Sequence, residues 1–187
     1  MTLKTARQVK DLIKNLSTKS NIEHHLLLKR YMMERLLDRI SVSEYKDNYI
    51  LKGGMLISSL LGVEDRATKD MDATIKGLPL TAEDMEKNLR EICGIDVKDN
   101  VKFEIKKISS IMIEEEHPGV RFHLKAKLDE TIVPLTFDIS TGDVITPGEI
   151  DYPYKTMLGE KTIPIFAYPI ETVLAEKLEA VLTKGEN

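Results

Sequence analysis

Asp70 and Asp72 lie in the run Asp70-Met71-Asp72-Ala73-Thr74-Ile75, whose alternation predicts a strand. A period of two puts Asp70, Asp72 and Thr74 on one face and Met71, Ala73 and Ile75 on the other. Asp138 stands in the middle of the apolar run Leu135-Thr136-Phe137-Asp138-Ile139-Ser140. A carboxylate there is costly unless it is paired, hydrogen-bonded or on a metal. Three strand carboxylates are what a two-magnesium phosphoryl-transfer site requires: hard cations take oxygen ligands, and two of them clamp the attacking and leaving oxygens. Upstream, Gly53-Gly54 permit close backbone approach, and the helix they open presents N–H groups and a positive dipole end to a triphosphate. Arg66 and Lys177 are cations suited to phosphate oxygens that no metal holds. Each feature alone arises often by chance. Their order and spacing together are more specific.

The elements that must position these residues read as α+β. Leu3 to Leu16 and Ile22 to Ile40 keep helical spacing, with Ser17-Thr18-Lys19-Ser20-Asn21 as a turn-and-cap cluster between them. His24 and His25 are adjacent, so they point about 100° apart and read as surface residues rather than metal ligands. The short run Tyr49-Ile50-Leu51 predicts a buried strand, and Met55-Leu56-Ile57-Leu60-Leu61 a helix closed by Gly62. Thr81 caps a further helix reaching about Cys93, with Met85, Leu89 and Ile92 as its buried stripe; Cys93 reads as a small core residue. From Val101 to Ser140 the pattern is a β hairpin or meander, with Glu114 to Gly119 as a turn. Its polar face Arg121-His123-Lys125-Lys127 reads as a solvated sheet face or as a groove for phosphates; exposed faces of antiparallel sheets are usually polar, which favours the former. Residues 147 to 160 read as loops, followed by a strand from Thr162 to Phe166. In the last helix, Pro169 to Leu182, the residues Ile170, Val173, Leu174, Leu178 and Val181 form a stripe expected to be buried. Lys177 falls in its middle, where an anionic partner is expected.

The bulk numbers limit the function classes. At 187 residues the chain is expected to be one domain, with residues 1–42 as a helical segment and 43–187 as the core. A net charge of -4 argues against nucleic-acid binding driven by bulk charge, although local basic patches survive that argument. The single cysteine excludes an internal disulfide and a cysteine-rich zinc site. No apolar run approaches a membrane span and no signal-peptide core begins the chain, so a cytoplasmic protein with no membrane partner is expected.

Taken together, Gly53-Gly54, Arg66-x-Thr68-x-Asp70-x-Asp72, the isolated strand aspartate Asp138 and Val173-x-x-x-Lys177-x-x-Ala180 resemble the AbiEii-type nucleotidyltransferases. These are toxin components of type IV toxin–antitoxin and abortive-infection systems, within the polymerase-β-like nucleotidyltransferase superfamily. The resemblance covers roughly residues 20 to 184. It implies a nucleotidyltransferase-like mixed sheet with flanking helices, Mg2+ dependence and an NTP as substrate, with RNA (tRNA) as one acceptor and a cognate antitoxin as partner. By the same resemblance Asp70, Asp72 and Asp138 would hold the metal. Gly53, Gly54, Arg66, Thr68 and Lys177 would line the nucleotide. Two departures stand out. Met55 occupies the position after the glycines where Thr or Ser is common, and the family's helical region with a further acidic motif is expected after the lysine helix but missing before Asn187.

Three functions are therefore weighed. The first is a nucleotidyltransferase toxin acting on a cellular acceptor. The second is an incomplete or inactive protein of that fold, binding a nucleotide or a protein partner without catalysis. The third is an α+β binding module whose Asp70 and Asp72 are a solvated surface pair.

Overall fold

The computed structural model describes residues 5–62, 68–78, 81–113, 117–159 and 161–184. In chain order the elements are α1 (Ala6–Ser20), α2 (His24–Val42), β1 (Tyr49–Lys52), α3 (Gly53–Leu61), β2 (Met71–Ile75), α4 (Ala82–Gly94), β3 (Val101–Ile113), β4 (His117–Leu128), β5 (Thr131–Thr141), β6 (Ile150–Lys155), β7 (Thr162–Ala167) and α5 (Ile170–Lys184). The seven strands form one mixed sheet in the order β3-β4-β5-β2-β1-β7-β6. β2 pairs parallel with β5 and β1 parallel with β7, while the other neighbours are antiparallel. The architecture is α+β, as the sequence predicts.

Helix α2 carries the core. Its Leu37 and Ile40 meet Tyr49, Leu51, Met71 and Ala73 on the apolar face of the central strands. The leucine, isoleucine and methionine side chains among them each contribute roughly 1.5–3 kcal/mol by burial. α1 and α4 also pack on α2, so the helix is covered nearly all round. That enclosure buries four charged residues, Glu34, Arg35, Asp38 and Arg39. Arg39 grips Asp99 with two hydrogen bonds of 2.7 and 2.9 Å and donates a third to the Val101 carbonyl, tying α2 to the start of β3. Asp38 accepts from Lys161, and Glu34 accepts from the Met157 N–H and the Tyr154 hydroxyl, tying the same helix to the loop between β6 and β7.

Several elements differ from the sequence expectation. α1 runs on to Ser20, because Thr18 and Ser20 turn their hydroxyls back onto the Lys14 and Leu16 carbonyls instead of breaking the helix; Asn21, left-handed at φ 57°, closes it. β2 begins at Met71, so Asp70 sits on a bend just before the strand. β4 already includes His117 to Gly119, and Glu114 to Glu116 lie outside the described residues. Residues 150–155 form β6, an edge strand whose Pro153 pairs with Pro164 and of which only Tyr154 is fully buried. Prolines at an edge hide a strand from pattern reading. α5 is anchored through Thr172 and Val173, but Ile170, Leu174, Leu178 and Val181 are exposed, from 41% to 68%. The expected buried stripe is therefore an open face, and Lys177 is exposed rather than buried within it. Cys93 does behave as a packed residue: burial pushes its thiol up to about 12.

Glu34 makes the fold pH-sensitive. Burial, opposed by Arg30, the Met157 N–H, Arg35 and Tyr154, raises its carboxyl from 4.5 to about 7. The folded state therefore holds this proton more tightly than the unfolded chain does. The associated stability is complete below about pH 4.5 and is lost as the pH rises through 7, in all about 3 kcal/mol. Glu34→Gln keeps the acceptor oxygen but does not ionise, so urea denaturation at pH 5 and pH 8 should show a smaller fall than in the unaltered protein. An equal fall in the variant would assign the effect elsewhere.

Candidate active site

The polar face of the central strands is built by register. Lys52 of β1 lies opposite Asp72 of β2, Asp72 beside Asp138 of β5, and Asp138 opposite Arg121 of β4. Paired residues share a face, so the four side chains make one row across the sheet, about 4.8 Å from strand to strand. The order of charge along it is positive, negative, negative, positive. Two carboxylates thus meet in the middle with a cation at each flank.

Asp72 is the innermost. Its carboxylate lies against the turn between β1 and α3, where it accepts from the Gly54 N–H. Gly53 has φ +70°, and a Cβ built on it would come 2.1 Å from Asp72 Oδ2. Only glycine fits there, on both counts. At Gly54 an added Cβ would come 3.2 Å from the Thr68 methyl, and Thr68 Oγ1 lies 3.3 Å from Ser58 Oγ. Thr68 is therefore folded onto the glycine turn. Burial first, then the charge of Asp138 and, more weakly, that of Asp70, push the Asp72 carboxyl up to about 6, against the pull of Lys52 and the Gly54 N–H. Asp70 is half exposed, with Oδ1 3.8 Å from Lys29 of α2. Asp138 is held from the other side: Arg121 donates Nε to Oδ1 at 2.7 Å and Nη2 to Oδ2 at 2.6 Å.

Beside this row is a cluster that sequence reasoning missed. Asp143 accepts from Lys52 Nζ at 2.6 Å, Tyr168 Oη at 2.7 Å and Ser140 Oγ at 2.8 Å. Burial works against its charge, but these donors win and bring its carboxyl down to about 2. Lys52 also lies 5.6 Å from the centre of the Tyr168 ring and 3.9 Å from Glu176 of α5. The available signal was a lysine ending an apolar strand immediately before two glycines. α5 thus brings Glu176 to the cluster. Arg66 lies outside the described residues, and the exposed Lys177 is tied to the site through its charge on Glu176, which lies 3.9 Å from Lys52.

Among the described residues, no group of three or more His, Cys, Asp or Glu side chains is gathered to hold a metal ion. The donors present nevertheless fit a magnesium ion, which keeps several waters and is held by one or two carboxylates together with substrate phosphates. Asp70 and Asp72 would supply such a pair, and a cation there would offset the burial of Asp72 and the charge of Asp138 beside it.

Comparison with known proteins identifies the family and the fold. The sequence model of the family described as nucleotidyl transferase AbiEii toxin, Type IV TA system, matches residues 35–187, and the chain belongs to that family. Two solved structures from Helicobacter pylori share the fold. JHP933 aligns at a TM-score of 0.50 with 15% identity, over 83% of this chain and 57% of its own. A protein named as a candidate nucleotidyltransferase aligns at 0.51 with 13% identity, over 84% of this chain and 59% of its own. The chain therefore spans under three fifths of the length of either structure. Comparison with curated proteins gives no match. No helix among the described residues is long and apolar enough to cross a membrane.

The two kinds of glycine separate cleanly by mutation. Gly62 is also left-handed, at φ 62°, but a Cβ there meets nothing within 4 Å. Gly62→Ala should lose only the backbone term, about 1–2 kcal/mol. Gly53→Ala should lose that and also displace Asp72, so it should be the less stable variant in thermal denaturation. Equal losses would mean that the Asp72 contact carries no energy.

Proposed function

We propose that this chain is a Mg2+-dependent nucleotidyltransferase that moves an NMP from an NTP to a cellular acceptor, RNA among the candidates, as the toxin of a type IV toxin–antitoxin system with a cognate antitoxin as partner. A cytoplasmic setting suits those substrates. The observation that carries the reading is the seating of Asp72 beside Asp138 in the strand register, with its carboxylate against the Gly53-Gly54 turn.

In this reading an acceptor hydroxyl attacks the α-phosphorus and pyrophosphate leaves, which needs two oxygens to be brought into line and their charge balanced. Asp70 and Asp72 would hold the ion, and bound Mg2+ supplies charge neutralisation of the phosphate oxygens. Gly53 and Gly54 leave the turn without side chains, so phosphates can approach the backbone N–H groups at the start of α3. Lys52, fixed by Asp143, keeps a positive charge at the Asp72 end of the row. Arg66, Thr68 and Lys177 are assigned to the nucleotide by family position, Thr68 with the added support of its contact with the glycine turn.

A second reading, nucleotide binding without catalysis, is favoured by one observation: both oxygens of Asp138 are engaged by Arg121. Incubation with total RNA, Mg2+ and each α-labelled NTP in turn decides between them. Transfer of label is expected from the unaltered protein, with a loss of roughly a hundredfold or more in Asp72→Ala. Magnesium-independent thermal stabilisation by NTP with no transfer would replace the first reading by the second.

A further inference from the structure

The two cations that flank the carboxylate pair are held in different ways. Lys52 is 17% exposed and is fixed by Asp143, itself fixed by Ser140 and Tyr168. Arg121 is 43% exposed, and the only hydrogen bonds its guanidinium makes among the described residues are the two to Asp138. Lys52 is part of the frame. Arg121 can leave.

A guanidinium binds a phosphate in the same two-pronged geometry as a carboxylate, so a phosphate group can replace Asp138 as its partner without any change in the fork. While Arg121 remains in place, its charge lies directly against Asp138 and opposes a divalent ion at that carboxylate. Arg121 also begins a column. His123, Lys125 and Lys127 follow it at every second position of β4, on the same face and about 6.8 Å apart, with Lys125 and Lys127 exposed. β5 lays Thr136, Pro134 and Ile132 beside them. A phosphate-bearing ligand moving along this column reaches Arg121 next to the carboxylates.

We propose that Arg121 closes Asp138 to metal in the phosphate-free protein, and that a phosphate group taking over its guanidinium frees Asp138 to join Asp70 and Asp72 around the ion. This rests on the nucleotidyltransferase reading above. It makes Arg121 a positioning residue that couples the two ligands: phosphate tightens metal and, by reciprocity, metal tightens phosphate. The phosphate can come from the incoming nucleotide or from the acceptor strand.

The test is Mn2+ binding, followed by the electron paramagnetic resonance signal of the free ion. It is run with metal alone, with a non-hydrolysable NTP analogue and with a short oligoribonucleotide lacking a triphosphate. In the unaltered protein one of the phosphate ligands should tighten Mn2+ by about tenfold, within the usual range for such coupling; the effective ligand identifies the source. Arg121→Gln should bind Mn2+ alone about tenfold more tightly than the unaltered protein and lose most of the coupling. Arg121→Lys, which keeps a charge but not the fork, should lie between them and carries the test if the glutamine variant does not fold. A folded Arg121→Gln protein with unchanged Mn2+ affinity and coupling overturns the proposal. Asp72→Asn separates the two levels. If it abolishes Mn2+ binding while Arg121→Gln has no effect, only the role of Arg121 fails; if it leaves Mn2+ binding intact, the carboxylate site itself fails and this inference with it.

Discussion

Asp72 and Asp138 occupy facing positions of parallel strands, and two buried-side carboxylates at that spacing repel one another unless something positive stands near. The rest of the site answers that constraint. Lys52 and Arg121 flank the pair in the same row of the sheet, the Gly54 N–H approaches Asp72 from the α3 turn, and Gly53 lacks the Cβ that would otherwise occupy the space of its carboxylate. Burial first, and then the charge of Asp138, still leave the Asp72 carboxyl raised. Under the proposed function, a divalent cation would offset the charge of these carboxylates.

The row needs strands that do not slip, because a shift of one residue would turn every one of its side chains to the other face. α2 supplies that rigidity. Its apolar residues fill the opposite face of β1 and β2, and its buried Arg39, Asp38 and Glu34 reach the start of β3 and the loop between β6 and β7. Polar contacts buried this deeply are costly when misaligned, so they fix the orientation of α2 on the sheet. Glu34 shows that cost directly, as a carboxyl raised by its own burial. On the far edge of the sheet, β6 extends the scaffold but contributes nothing to the row.

Much of this organisation was legible in the residues. Gly53-Gly54 and Gly62 marked the ends of α3 because a left-handed or crowded backbone admits little else. Alternation placed Asp72 and Thr74 on one face of β2, and Thr81 capped α4 where expected. The failures have three causes. Lys177 was placed in a buried stripe because periodicity reports which residues share a face of a helix, not whether that face is covered; among the described residues of α5, the buried ones are Thr172 and Val173 in its first turn. β6 escaped because edge prolines erase alternation. Lys52 and Asp143 were passed over since their meaning lies in a contact across 91 residues.

By itself, the sequence determined the class of elements, the glycine turn, the pair of carboxylates near β2 and the family to which they point, since local backbone chemistry and short-range spacing dictate these. Only the tertiary structure decided the neighbours of those carboxylates. The strand order β4-β5-β2-β1 and its register set Arg121 against Asp138 and Lys52 against Asp72. The balance of charge in the site follows from strand pairing, which couples residues far apart in the chain and leaves no trace in local pattern.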